Sequence, residues 1–140
     1  MAPNSLQRGD LFHLEIEGIS RATFVRCEGL SGRREVIDYH EGGAPAARRL
    51  RGRETGGILA LESGVLARST HSELEDWYRR ADRRTVRVVL LDAAGNETGR
   101  WRIERAWPCA WEGPRLDAER VVVALERLEL AFEEVRWQPS

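Results

Sequence analysis

Lysine is missing altogether. All 22 basic residues of this 140-residue chain are arginine, and 23 acidic residues bring the net charge to −1. A near-neutral chain has no global attraction for nucleic acid, so a basic-patch interface has no support. The arginine bias reads first as the composition of a GC-rich gene, and second as a residue type suited to bidentate interface pairing. Cysteine is scarce too. Cys27 and Cys109 lie far apart with no CxxC spacing and read as two buried thiols rather than a disulfide or metal pair. Three histidines are too few and too scattered for most catalytic or metal sites. The nearest approach to a ligand cluster is Asp38, His40 and Glu41, but Asp38 and His40 share one strand face and Glu41 does not. Gly42-Gly43 and Gly56-Gly57 precede no helix, which removes a phosphate-binding loop or dinucleotide fingerprint. Ser63 and Thr70-His71 have no oriented acid or base around them that would make a nucleophile. No apolar run approaches a membrane span. The first twelve residues lack the basic-then-apolar order of a secretory signal, so the expectation is a protein assembled in the cytoplasm.

What is present is enough for one domain with a real core: 41% apolar and 32% charged residues, the balance of a folded soluble chain. Leu11 to Glu17 alternates, with Phe12, Leu14 and Ile16 on one face, and predicts a half-buried strand. Ala22 to Glu28 reads as its hairpin partner across Gly18-Ile19-Ser20. Arg34 to Tyr39 and Ile58 to Glu62 are further strands. One helix is predicted: Thr70-His71-Ser72-Glu73 is a capping box, and Leu74, Trp77, Tyr78 and Ala81 form an apolar stripe to pack on a sheet. Val86 to Leu91 is an apolar strand, turned by Asp92 to Asn96. It returns as Arg100 to Trp107, with Trp101, Ile103, Arg105 and Trp107 on one face, and Pro108 and Pro114 bracket a break. Asp117 to Val135 is ambiguous. Its spacing fits a helical stripe, or a strand whose phase shifts at Glu126-Arg127 as a β-bulge would make it.

Between Tyr39 and Gly57 lies a connection too long and too polar to bury itself, with Arg48, Arg49, Arg51 and Arg53 in it. Such a segment needs water or another molecule to pack against, which makes it a candidate arm gripping another copy.

The ordered series Phe24-Val25-Arg26-Cys27-Glu28-Gly29-Leu30, Glu35 to Gly43 and Arg49-Leu50-Arg51-Gly52 resembles the tail tube proteins of contractile phages. Leu61 to Leu66, the Leu74…Trp77 helix, Val86 to Asp92, Trp101…Trp107-Pro108 and Glu119…Ala131 continue the match in the same order. The nearer resemblance is to tube subunits of phage-tail-like contractile injection systems, whose fold the type VI secretion tube shares. It implies a mainly β fold: two packed antiparallel sheets forming a barrel-like core, one flanking helix, and a long extended loop between early strands. The whole chain is then a single tail-tube domain, and Val121 to Ala131 is a strand. It also implies a non-enzymatic homo-oligomer of hexameric rings stacked into a hollow tube, with sheath and baseplate or hub proteins as partners. Neither cofactor, sequence-specific nucleic-acid contact nor membrane segment is implied. The particle it joins is an extracellular or cell-associated tail. The inter-subunit arm would comprise Tyr39, His40, Glu41, Gly42, Gly43, Arg48, Arg49, Leu50, Arg51, Gly52 and Arg53, its arginines making salt bridges between subunits. Leu61-Glu62-Ser63-Gly64 and Leu50-Arg51-Gly52 depart from the usual pattern, which brings in a specialised initiating or terminal ring as an alternative. A phage tube passing DNA and, from another class, a small β-barrel holding a ligand among its tryptophans are the other readings.

Overall fold

The computed structural model describes residues 11–19, 24–43, 45–63, 68–113, 118–119 and 126–140. The strands among these residues are β1 (Phe12–Ile16), β2 (Arg26–Glu28), β3 (Arg33–Tyr39), β4 (Arg48–Thr55), β5 (Ile58–Ser63), β6 (Arg84–Leu91), β7 (Glu97–Glu112), β8 (Glu126–Ala131) and β9 (Glu134–Pro139), and the helix α1 (Arg68–Arg80) lies between β5 and β6. All strand pairings are antiparallel.

One strand belongs to two sheets. The first half of β7 lies between β6 and β9, giving a sheet in the order β1-β6-β7-β9, while its second half runs along β8 in the order β2-β5-β8-β7. At the changeover, Val86 faces Ile103 and Arg84 faces Ala106, so Glu104 and Arg105 together oppose Thr85. That two-against-one count is a bulge, and Arg105 takes φ +53° there, a left-handed conformation rare outside glycine. The bulge shifts the side-chain phase. Ile103 and Ala106 are buried, Arg105 is exposed, and Trp107 turns to the other face, so the unbroken Trp101-to-Trp107 face read from the sequence does not exist. Pro108 does not break the strand either. It faces Leu130, and a second register shift before Ala110 accommodates its missing N–H. Pro114 lies outside the described residues.

The inner faces of the two sheets and the helix share one core. Leu14, Ile16, Val86, Val88 and Ile103 come from the first sheet; Leu59, Leu61, Leu128 and Leu130 from the second; Leu74 and Trp77 from α1. The barrel-like packing is open, because the path of paired strands ends at β1 and β2. The predicted β1–β2 hairpin is corrected: β1 pairs with β6 and β2 with β5. Alternation had set the face of β1 correctly but carries no information about partners. The strand reading of Val121 to Ala131 holds over Glu126–Ala131, and residues 121–125 lie outside the described ones.

The helix begins at Arg68, so Thr70 is a buried first-turn residue and not the N-cap. Its inner stripe is Thr70, Leu74 and Trp77. Tyr78 is 40% exposed, and Ala81 is exposed in a left-handed conformation (φ +53°), its N–H bonding the Trp77 carbonyl at 2.6 Å to end the helix. The packing role predicted for Tyr78 and Ala81 is thus overturned, because a helix on a sheet buries a narrower stripe than the periodicity allowed. Trp77 is anchored twice over: its indole Nε1–H donates to the Asp82 carbonyl at 2.7 Å and the Arg84 guanidinium lies 5.3 Å from its ring centre. Truncating Trp77 to Ala should cost about 3–5 kcal/mol, whereas Tyr78→Ala should change stability by about 0.5 kcal/mol or less. Urea unfolding of both variants checks this, and equal losses would contradict the assigned stripe.

Candidate inter-subunit arm

The segment singled out as a connection is half strand. β3 and β4 form a two-stranded hairpin apart from the main sheets, with residues 40–47 connecting them. Every residue of β3 is exposed on both faces. Val36, Ile37, Tyr39 and Leu50 stand in water at 54%, 46%, 48% and 43% exposure, an unusual density of apolar surface on so small an element. The hairpin follows from its residues: β-branched and aromatic side chains alternate through Val36, Ile37 and Tyr39, and Gly43 turns with φ +82°. Gly52 and Arg53 together oppose Glu35, which makes a bulge on β4, and a Cβ on Gly52 would sit 2.8 Å from the Glu35 Cβ.

The predicted arm residues sort as follows. Tyr39, Arg48, Arg49, Leu50, Arg51, Gly52 and Arg53 are in the two strands, and His40, Glu41, Gly42 and Gly43 are in the connection. Arg48 already pairs with Glu41 at 3.4 Å and Arg49 with Asp38 at 3.5 Å, within the arm itself. Arg51 and Arg53 make no ion pair among the described residues. Asp38, His40 and Glu41 do not converge; two of them serve those arginine pairs. An open concavity of about 650 Å³ at the hairpin's base is lined by Arg33, Arg34, Glu35, Val36, Arg53, Glu54 and Thr55.

The root of the arm is the part sequence reasoning missed. The Gly56 backbone lies so close to the Phe132 carbonyl that an added Cβ would come within 1.5 Å of that oxygen. The Phe132 N–H bonds the Gly57 carbonyl at 3.0 Å. Arg136 of β9 then reaches both carboxylate oxygens of Glu54, at 2.9 and 3.0 Å. The Gly-Gly pair was the available signal, but its partner lies 76 residues on and only the fold brings it there. The hydrogen bond from Arg136, helped by the charges of Arg136 and Arg34, holds the Glu54 carboxyl below its ordinary range.

Trp77 and Trp101 serve packing, and Trp111 and Trp137 are exposed. Trp101 packs on the core and tilts against Trp137 with centroids 5.0 Å apart, and the cleft that Trp111 lines beside Leu74 holds only about 10 Å³. Cys27 and Cys109 are free and half-buried; burial, with Glu28 adding to it, pushes the Cys27 thiol up to about 11. That is an inert thiol.

Solved structures share this fold. The tube of an extracellular contractile injection system, in the extended PVC sheath-tube complex, is 21% identical with TM-score 0.77, over 92% of this chain and 88% of that one. A chain of the anti-feeding prophage baseplate is 27% identical with TM-score 0.73 over 91% of each chain, and one of that particle's tube-terminating cap is 18% identical with TM-score 0.78 over 93% and 89%. Hcp1 from Flavobacterium johnsoniae is similar at 14% identity and TM-score 0.56, over 93% of this chain and 96% of that one. The class is therefore the Hcp-like tube fold. The family profile of the T4-like virus tail tube protein gp19 matches residues 10–136, and the chain belongs to that family of structural tail tube proteins. A comparison with curated proteins gave no match. No helix among the described residues is long and apolar enough to cross a membrane.

The depressed Glu54 carboxyl gives a pH prediction. A carboxylate with a lowered folded-state pKa stabilises the fold above its ordinary value, 4.5, and loses that contribution as pH falls through the lowered one. The Glu54–Arg136 contact should loosen only in that acidic window. Amide exchange of residues 48–57 against pH checks it: protection in wild type should fall below about pH 4.5 and be already low in Arg136→Ala at neutral pH. Identical profiles for the two proteins would show that the contact does not hold the arm.

Proposed function

We propose that this chain is a subunit of the inner tube of a contractile, phage-tail-like injection system. It assembles in the cytoplasm into hexameric rings that stack into a hollow conduit, with a sheath around it and a baseplate or hub at one end. It carries cargo without catalysing a reaction. The single observation behind this reading is the Arg33–Thr55 hairpin, whose apolar side chains lie in water and whose strands, beyond the root, pair with each other and apart from the main sheets. A second copy supplies what the monomer lacks.

Two further features support self-assembly. β1, β2 and β9 each pair on one side only among the described residues, leaving edges that a monomer would have to protect. A heterologous contact using such surfaces closes into a ring when the rotation per copy is right, and rings stack when their faces are complementary. Charge is also divided: residues 33–55 hold six arginines and four carboxylates, net +2, which leaves −3 on the rest of the chain. Arms therefore repel one another and are drawn to bodies.

The terminal-ring reading rests on a specific observation, the similarity to a tube-terminating cap at TM-score 0.78 beside 0.77 for a tube. Labelled subunits located along intact particles separate the two: labels along the full length mark a bulk subunit, labels at one end a terminal ring.

The test of the arm is a shortened hairpin. Ile37 and Leu50 face each other, so replacing residues 38–49 with Asn-Gly leaves a two-residue turn in register. The variant should melt within a few degrees of wild type and form no stacked tubes by negative-stain electron microscopy. Normal tubes from it would remove the arm from the assembly contact.

A further inference from the structure

The arm's two faces differ in kind. Between the bulge and the tip, alternation along β4 puts Arg48 and Leu50 on one face and Arg49 and Arg51 on the other. The register adds Ile37, opposite Leu50, and Tyr39, opposite Arg48, to the first face. Asp38 and Val36, opposite Arg49 and Arg51, join the second, and so does Glu54, which lies opposite Arg34 beyond the bulge. The first face thus carries Ile37, Leu50 and Tyr39 with one arginine, and the second carries Arg49 and Arg51 with Asp38 and Val36.

The second face is the one held to the subunit's own body at the root, because Glu54, opposite Arg34 on that face, is the residue Arg136 holds. On the first face Ile37, Tyr39 and Leu50 all remain more than two-fifths exposed to water. The arm has net charge +2 and the body −3, so the surface that draws it is the body of a second copy. Deeply buried apolar side chains set how long a contact lasts, while peripheral charges set how fast it forms and how it responds to salt.

We infer that Ile37, Leu50 and Tyr39 form the buried contact by which the arm seats on a second copy of this chain, and that Arg49 and Arg51 stay solvated on the opposite face and act by electrostatic steering. This rests on the tube reading above, and it reassigns the arginines from inter-subunit salt bridges to steering.

The experiment compares wild type, Ile37→Ser/Leu50→Ser and Arg49→Gln/Arg51→Gln, with assembly followed by light scattering and its end point by sedimentation, at low and high salt. All the altered side chains are exposed, so melting temperatures should match, and this is checked first. The serine variant should need at least about tenfold more protein to polymerise at any salt. The glutamine variant should reach the wild-type end point about tenfold more slowly at low salt, with its salt dependence flattened. Wild-type polymerisation by the serine variant, or a lost end point in the glutamine variant, overturns the face assignment while leaving the tube reading standing. A wild-type protein that forms no oligomer at high concentration overturns both.

Discussion

Two stretches of chain pass from one sheet to the other, and they do so side by side, sealed by a single carboxylate. β7 changes sheets at Arg105, and the chain crosses back between β8 and β9 at Phe132-Glu133. Glu133 accepts from Arg105 Nε at 2.9 Å and Arg83 Nε at 3.3 Å, and its own N–H bonds the Glu104 carbonyl at 3.1 Å. These hydrogen bonds, Arg105 first, hold its carboxyl below the usual range. Each exposed pair is weak by itself. Their value is positional, since the left-handed Arg105 backbone points its side chain where the other crossing turns. The helix exit joins the same seam through Arg83.

The arm is rooted there too. Gly56 abuts Phe132, and Arg136, three residues past Glu133, holds Glu54. A projecting two-stranded ribbon is marginal in water without support. Among the described residues it is supported at its base. That arrangement fixes the arm's direction and leaves its length exposed. The outer face of the second sheet shows a related use of charge: Arg26, Glu62 and Arg127 line up across three strands, with Arg26–Glu62 and Glu62–Arg127 contacts at 3.4 Å. The face stays polar and ordered where a protein lacking lysine has only arginine to spend on cation pairing.

Much of this was legible in the residues. The period-two run of β1, the apolar run of β6, the Asp92–Asn96 turn and the Leu74/Trp77 helix face all appear as read, because each depends on neighbours a few positions apart. The Asp92 carboxylate accepting from the N–H groups of Ala94 and Asn96 is wholly local. β2's partner was misread, since pairing depends on which strands the core brings together. Pro108 inside a strand, and the exposure of Tyr78, likewise depend on what lies opposite them.

The sequence by itself determined the family, the alternating faces and the polar, arginine-rich character of the arm, all of which are written in the order and spacing of residues. Only the tertiary structure decided that the arm is a hairpin and that β7 serves two sheets. It also decided that Ile37, Leu50 and Tyr39 share one face while the glutamate that anchors the root lies on the other. The physical reason is register: an alternating strand has two equivalent faces until a partner strand, a bulge and a fixed root choose between them.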